Sequence, residues 1–259
     1  GDGPADAVPA YWVGEVDLVR FRDNLHRFPD YIVRIFLLDN GLAVWTDPVD
    51  WMWGLDKWLP LLGETVMMAY LGTISGAAGG FVLCFLATRN LMPNAWVRGG
   101  AKRLLELCRT VPELVFALIF VQAFGLGPLP GVLAIAIHTT GALGKLFSEV
   151  VDNVDMNPVD GIVAAGGTWT EMIRFAVVPQ VLSNFVSCGL LRFEINIRGA
   201  AVMGFVGAGG IGQDLLEAIR KFYYPDVGAL LALIIVTVMI NDLAAERLRH
   251  ALLGWERTR

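Results

Sequence analysis

The polar groups with types and spacings suited to chemistry are few, and they sit inside or between long apolar runs. Gly207-Ala208-Gly209-Gly210-Ile211-Gly212 satisfies G-x-G-x-x-G, and Asp226 follows near the distance at which an acidic residue would hold a ribose. That fingerprint has meaning only between a strand and a helix. Here both flanks are apolar and helix-length, so a dinucleotide site is set aside. The glycines read instead as a break in a membrane helix where backbones approach closely. They either line a pathway or gate or form a turn with no role in transport.

Three further groups stand out. Arg192, Glu194 and Arg198 lie in or beside an apolar run, where ionisable groups are costly unless paired or facing a polar interior. Glu194 and Arg198 are four apart and are expected to pair on one helical face. Ser187 and Ser183 extend that face backward, with Asn184 beside it. The stripe either fixes helix packing or lines a substrate path or subunit interface, and for an anionic substrate Arg192 or Arg198 is the natural attractor. His138, Thr139 and Thr140 put hydrogen-bonding groups midway along another apolar run, as structural bonds or as substrate contacts. The stretch 160–179, DGIVAAGGTWTEMIRFAVVP, is polar and charged between two membrane-length segments.

What is missing narrows the classes. No G-x4-G-K-[ST] phosphate loop occurs, so the chain is not expected to hydrolyse ATP. No Ser/His/Asp or Cys/His grouping stands in a recognisable catalytic context. His26, His138 and His250 are far apart, and Cys84, Cys108 and Cys188 have no paired spacing, which argues against zinc and against a disulfide framework. There is no basic stripe for nucleic acid.

The elements that must position these groups are membrane helices. The chain is 55% hydrophobic and only 17% charged, with a formal net charge of -5 and a mean hydropathy of +0.57. That is too apolar for an ordinary soluble domain of this length, and the fold class is all-α and polytopic. Residues 65–88 carry no charge and form the clearest span, since about 20 apolar residues cross a ~30 Å core. A second stretch, 114–144, is interrupted at GLGPLPG, 125–131, and reads as two helices joined by a tight hairpin. The first of them is expected to start near Leu104 and the second to run past Lys145. Two more spans follow, near 178–205 and 227–245.

Orientation follows from the basic residues. Arg89, Arg98, Lys102, Arg103 and Arg109 in one loop, and Arg247, Arg249, Arg257 and Arg259 in the tail, are expected on the cytoplasmic side. The uncharged hairpin then lies outside and the 160–179 loop inside. Residues 1–59 become an extracytoplasmic segment with an amphipathic stretch at 21–38, either interfacial or a packed surface helix. Trp45, Trp51, Trp53 and Trp58 form an aromatic belt ahead of the first span. Residues 60–253 form the transmembrane domain and 254–259 a cytoplasmic tail. The chain opens on GDGPAD with neither an initiating Met nor a signal-peptide pattern, so a missing amino-terminal part is expected.

The 160–179 stretch resembles the cytoplasmic coupling loop of ATP-binding-cassette (ABC) importer permeases, written E-A-A-x3-G-x9-I-x-L-P. Asp160 stands for Glu, Gly161 and Ile162 for the two alanines, and Ala176 and Val178 for Ile and Leu. RTVPELVFALIF from Arg109, the HTTG string at His138, LLRFEINIR to Arg198 and VGAGGIG to Gly212 are similar to the permease subunit of phosphonate-type ABC importers, over roughly 60–253. The resemblance implies a type I importer transmembrane domain that binds no cofactor itself, with ATP and Mg on a partner ATPase. It implies a second permease copy as a homodimer, two cytoplasmic ABC ATPases, an extracytoplasmic substrate-binding protein and membrane lipid as partners. It assigns Asp160, Gly161, Gly166, Gly167 and Pro179, within a coupling loop at 149–179, to ATPase docking through a short helix near 158–172. The expected cargo is phosphonate, phosphite or a related phosphorus oxyanion. The rivals are a permease for another small solute such as an amino acid and an ATP-independent carrier, against which no second GAGGIG-like segment occurs.

Overall fold

The computed structural model describes residues 27–38 and 41–256, with side chains for 29–38 and 41–249. Its elements are helical throughout, apart from an isolated bridge between Leu37 and Ala43. In chain order they are α1 (Arg27–Ile35), α2 (Pro48–Trp51), α3 (Leu55–Ala87), α4 (Ala95–Thr110), α5 (Glu113–Phe124), α6 (Pro128–Asp152), α7 (Asn157–Ala164) and α8 (Trp169–Met172). A π turn (Ile173–Val177), α9 (Val178–Met203), a 3-10 turn (Gly204–Val206), α10 (Ile211–Lys221) and α11 (Tyr224–Glu256) complete the described elements. Among the described residues four helical stretches are long and apolar enough to cross a membrane: Leu55–Ala87, Pro128–Asp152, Trp169–Val206 and Tyr224–Arg249.

The parallel pair α3 and α6 forms the centre. A Cβ added at Gly72 would strike Ile135, at Gly76 Thr139, and at Gly80 the backbone of Gly144. The offset stays near 64 residues along both helices, so they run in the same direction. Small residues at four-residue spacing bring the two backbones together where apolar burial alone gives helices in lipid no reason to associate. Helix α9 runs antiparallel to α6. The Phe147 and Phe185 rings stack at 4.0 Å towards one end, and Asn196 meets Thr139 further along.

The hairpin reading holds, but its first helix is divided. Val111 is extended (φ -76, ψ 124) and Pro112 is the N-cap of α5. A proline has no N–H to continue the ladder and pushes the preceding residue out of helical geometry, so the chain breaks there rather than starting one helix near Leu104. Twelve residues reach only about 18 Å, short of a ~30 Å core. The last turns of α4 lie against α6, with the Leu105 side chain on Gly144 and the Arg109 backbone on Gly141.

Other expectations shift. Within 21–38 the helix occupies Arg27–Ile35, and the residues before 27 lie outside the described part. Trp45 and Trp53 are exposed, but Trp58 is 3% exposed in the core and meets the Trp53 ring edge-on at 5.8 Å. The indoles of Trp51 and Trp53 donate to Pro225 O and to an Asp226 carboxylate oxygen, tying this segment to the start of α11. The short helix expected near 158–172 is divided, as α7 (Asn157–Ala164) and α8 (Trp169–Met172) on either side of Gly166. After α7 the chain enters α8 and runs on without interruption into α9, so Pro179 is the second residue of a long helix. It cannot donate back to Phe175, and the widened π turn lies just before it.

Candidate coupling and translocation sites

The two ends of the bundle have different character. At one end α3, α6 and α8 meet: Arg89 N donates to Asp152 Oδ1 at 2.9 Å, Asn90 Nδ2 to Asp152 O at 3.0 Å, and Trp169 Nε1 to Leu91 O at 3.0 Å. Helix α7 lies here. Val159 is buried and half-buried Ile162 packs on the same apolar cluster, while Asp160, Gly161, Val163, Ala164 and Gly166 are exposed. The helix stops because Gly166 takes φ +82. Gly166 N donates to Val163 O and Gly167 N to Ile162 O, both at 3.0 Å, closing the last turn as a Schellman cap. A Cβ on Gly167 would lie 2.5 Å from Ile162 Cγ2, whereas one on Gly166 would meet nothing. Thr168 then caps α8, accepting from Glu171 N while Glu171 accepts from Thr168 N. Four of the five residues assigned to coupling thus stand together around α7, and Pro179 is carried off on α9.

The glycine-rich segment is at the opposite end. Gly207, Gly209 and Gly210 all have φ near +80, a region other residues rarely adopt. The segment turns the chain from α9 into α10, whose first amides are capped from α3: Gly210 N donates to Glu64 Oε1 at 3.2 Å and Ile211 N to Thr65 Oγ1 at 3.0 Å. Gly127 N of the hairpin donates to Gly207 O at 3.1 Å. A Cβ on Gly212 would run into Ala201 O. Beside this turn a cavity of about 430 Å³ is lined by Leu126, Gly207, Gln213 and Arg220 among others. Lys221, 2.5 Å from Glu217, holds that carboxyl below its ordinary range, first by hydrogen bonding and then by charge, and is itself raised by the same contact.

Between the ends, polar contacts bind the spans. Asn196 is fully buried, and its Nδ2 donates to Thr73 Oγ1 at 2.8 Å and Thr139 Oγ1 at 2.9 Å, joining α9 to α3 and α6. Thr140 donates to Ala136 O at 2.8 Å and Gly76 O at 3.2 Å. His138 Nδ1 lies 3.1 Å from Val111 O. A carbonyl only accepts, so that nitrogen carries the proton, and the ring satisfies an acceptor freed by the Pro112 break. Among the described residues these contacts give His138, Thr139 and Thr140 structural partners.

The expected Glu194–Arg198 pair is not formed. Arg198 reaches Asp242 of α11 at 2.9 Å, because a longer apolar-flanked helix offers a carboxylate on the side that Arg198 faces. Arg192 lies on the other side of α9, on the face shared with Asn196 and Gly199. Asn196, Thr73, Glu64, Thr65 and Glu113 were not singled out from the sequence. The signal for Asn196 was present, a carboxamide inside the FEINIR string, but its partner in α3 is 123 residues away. No group of three or more possible metal ligands occurs among the described residues.

Residues 79–250 match the family model of binding-protein-dependent transport system inner membrane components. The chain belongs to that family. It is 41% identical over 189 residues to the phosphite transport system permease protein PtxC of Stutzerimonas stutzeri, covering 73% of this chain and 69% of that one. It is 40% identical to the phosphate-import permease protein PhnE of Mycolicibacterium smegmatis, covering 75% of this chain and 37% of that longer one. It is 51% identical over 117 residues to the putative cryptic phosphonate transport system permease protein PhnE2 of Escherichia coli, covering 45% and 96%. The fold is that of the MetNI methionine ABC transporter in an inward-facing conformation, with a TM-score of 0.66 and 17% identity over 80% of this chain and 98% of that one. The protein is therefore a multi-pass inner-membrane permease subunit of an ABC importer, and not an enzyme. An ATP-independent carrier is not favoured.

Proposed function

We propose that the chain forms the membrane pathway through which phosphite, phosphonate or a related phosphorus oxyanion is imported, with a separate ATPase as the motor. The substrate class is supported by the relatives whose names carry those anions. The observation that carries the coupling half is α7: an exposed short helix, closed by a glycine cap and pinned through Trp169 to the end of α3. Asp160, Gly161, Gly166 and Gly167 present it, and Pro179 begins the lever that leads back into the membrane. A groove on each of two cytoplasmic ATPase subunits accepts the helix. ATP and Mg bind there, closure of the ATPase pair moves the docked helices, and two identical permease copies rock between inward- and outward-open states. The α7 end is then cytoplasmic, and the end with the hairpin, α1 and the glycine turn faces an extracytoplasmic binding protein. Gly207, Gly209, Gly210 and Gly212 serve there as the outer gate. In the spans His138, Thr139, Thr140, Arg192, Glu194 and Arg198 border the pathway, with Arg198 held back by Asp242.

The test is uptake of labelled phosphite, 2-aminoethylphosphonate and phosphate by cells that depend on this permease with its ATPase and binding protein. Saturable uptake of one anion, competed by the others, supports the reading. Uptake of an amino acid or betaine alone sinks it.

A further inference from the structure

Resting on that reading of the pathway, we infer that Arg192 is where the permease itself grips the oxyanion at the middle of the membrane. The two arginines of α9 have different fates. Arg198 is neutralised by Asp242 at 2.9 Å. Arg192 makes no ion pair within 4.0 Å among the described residues, and its Nε is buried without a hydrogen-bond partner.

The position is interior in both senses. Arg192 is near the midpoint of the continuous helix Trp169–Val206. It shares its helical face with Asn196, which is fully buried against α3 and α6, and with Gly199, so its backbone turns it towards the bundle rather than to lipid. A carboxylate, Glu113, stands further along the same face of α9. Glu113 is the first residue of α5, placed there by the Pro112 break, and lies so close over Gly199 that a Cβ on Gly199 would overlap it. Gly199 is two turns, about 10 Å, from Arg192 along α9.

A guanidinium at membrane depth is kept only where something uses it. Its planar donors match two oxygens of a tetrahedral phosphorus oxyanion, a geometry that a lysine would not reproduce. A conducting site must also release its ion, and it must be weak enough to be left. Glu113, further along the same face at Gly199, supplies that weakness: its negative charge opposes the anion and favours its release.

The experiment uses the full complex in proteoliposomes, with permease, ATPase and binding protein, and reads basal ATP hydrolysis, assembly and phosphite uptake separately. Arg192→Gln is expected to assemble with the ATPase as the wild type does, yet to lower uptake per assembled complex by tenfold or more. Arg192→Lys should recover only part of it. The decisive variant is Arg192→Gln with Glu113→Gln. If the two residues were only a packing pair, removing both charges would restore uptake; the inference requires that it stay low. Wild-type uptake in Arg192→Gln or in the double variant overturns the inference alone. Absence of uptake of any phosphorus oxyanion by the wild-type complex overturns the substrate reading and this inference with it.

Discussion

The same substitution, glycine to alanine, should have opposite effects at two positions five residues apart, one inside α7 and one in the cap that ends it. Gly161 is helical, exposed and has nothing within 4 Å of where a Cβ would sit. Alanine there restricts the unfolded chain and should stabilise the helix by about 1 kcal/mol. Gly166 is equally open, but its φ of +82 penalises a side chain by roughly 1–2 kcal/mol. A kcal/mol is a factor of about five in a local opening equilibrium and two are about thirty. Amide hydrogen exchange of 160–166 in permease reconstituted in lipid nanodiscs should therefore slow about fivefold in Gly161→Ala. In Gly166→Ala it should quicken by about five- to thirtyfold, while Gly166→Asn falls between, because asparagine tolerates left-handed geometry. The ATPase affinity of the assembled complex should fall in the order Gly, Asn, Ala at 166 if α7 is the docking element. Changes of the same sign at 161 and 166 would refute the cap assignment. Unchanged ATPase affinity in Gly166→Ala, despite faster exchange, would refute the docking role.

Three further substitutions test the packing. Asn196→Leu removes two interhelical hydrogen bonds worth about 0.6 kcal/mol each in a membrane. It should lower stability by about 1 kcal/mol in denaturant titration in detergent, and Thr73 loses little because it still donates to Ala69 O. Gly76→Ala puts a Cβ 2.6 Å from that of Thr139. The α3–α6 contact must open, at a cost of about 1–3 kcal/mol, seen as a lower midpoint in thermal unfolding. Thr65→Val removes the acceptor for Ile211 N and should cost about 1 kcal/mol, with faster exchange confined to the start of α10.

The parts legible in the sequence were those written in local signals. The uncharged run of α3, the Gly and Pro hairpin before α6 and the glycine turn after α9 each follow from backbone restrictions of the residues themselves. The break at Pro112 was equally local, but hydropathy was read across it, and an apolar run on one side masked a proline that ends a helix. Arg198 failed for a different reason. Spacing of four offered Glu194, and nothing local shows that α11 brings Asp242 closer, 44 residues on. Asn196 shows the same limit from the other side, since its link to Thr73 and Thr139 acquires meaning only when α3 and α6 are seen side by side. The polar character of 160–168 was visible, but the π turn that joins α8 to α9 was not, because 160–179 read as a loop ending where the span near 178 begins.

The most direct test of the whole account is ATP hydrolysis by the reconstituted permease, ATPase and binding protein, with and without phosphite or 2-aminoethylphosphonate. The account predicts stimulation by one of these ligands in the wild type and loss of that stimulation in Gly166→Arg, with the permease still in the membrane. An ATPase that fails to assemble with the wild-type permease, or one whose stimulation survives Gly166→Arg, would contradict it.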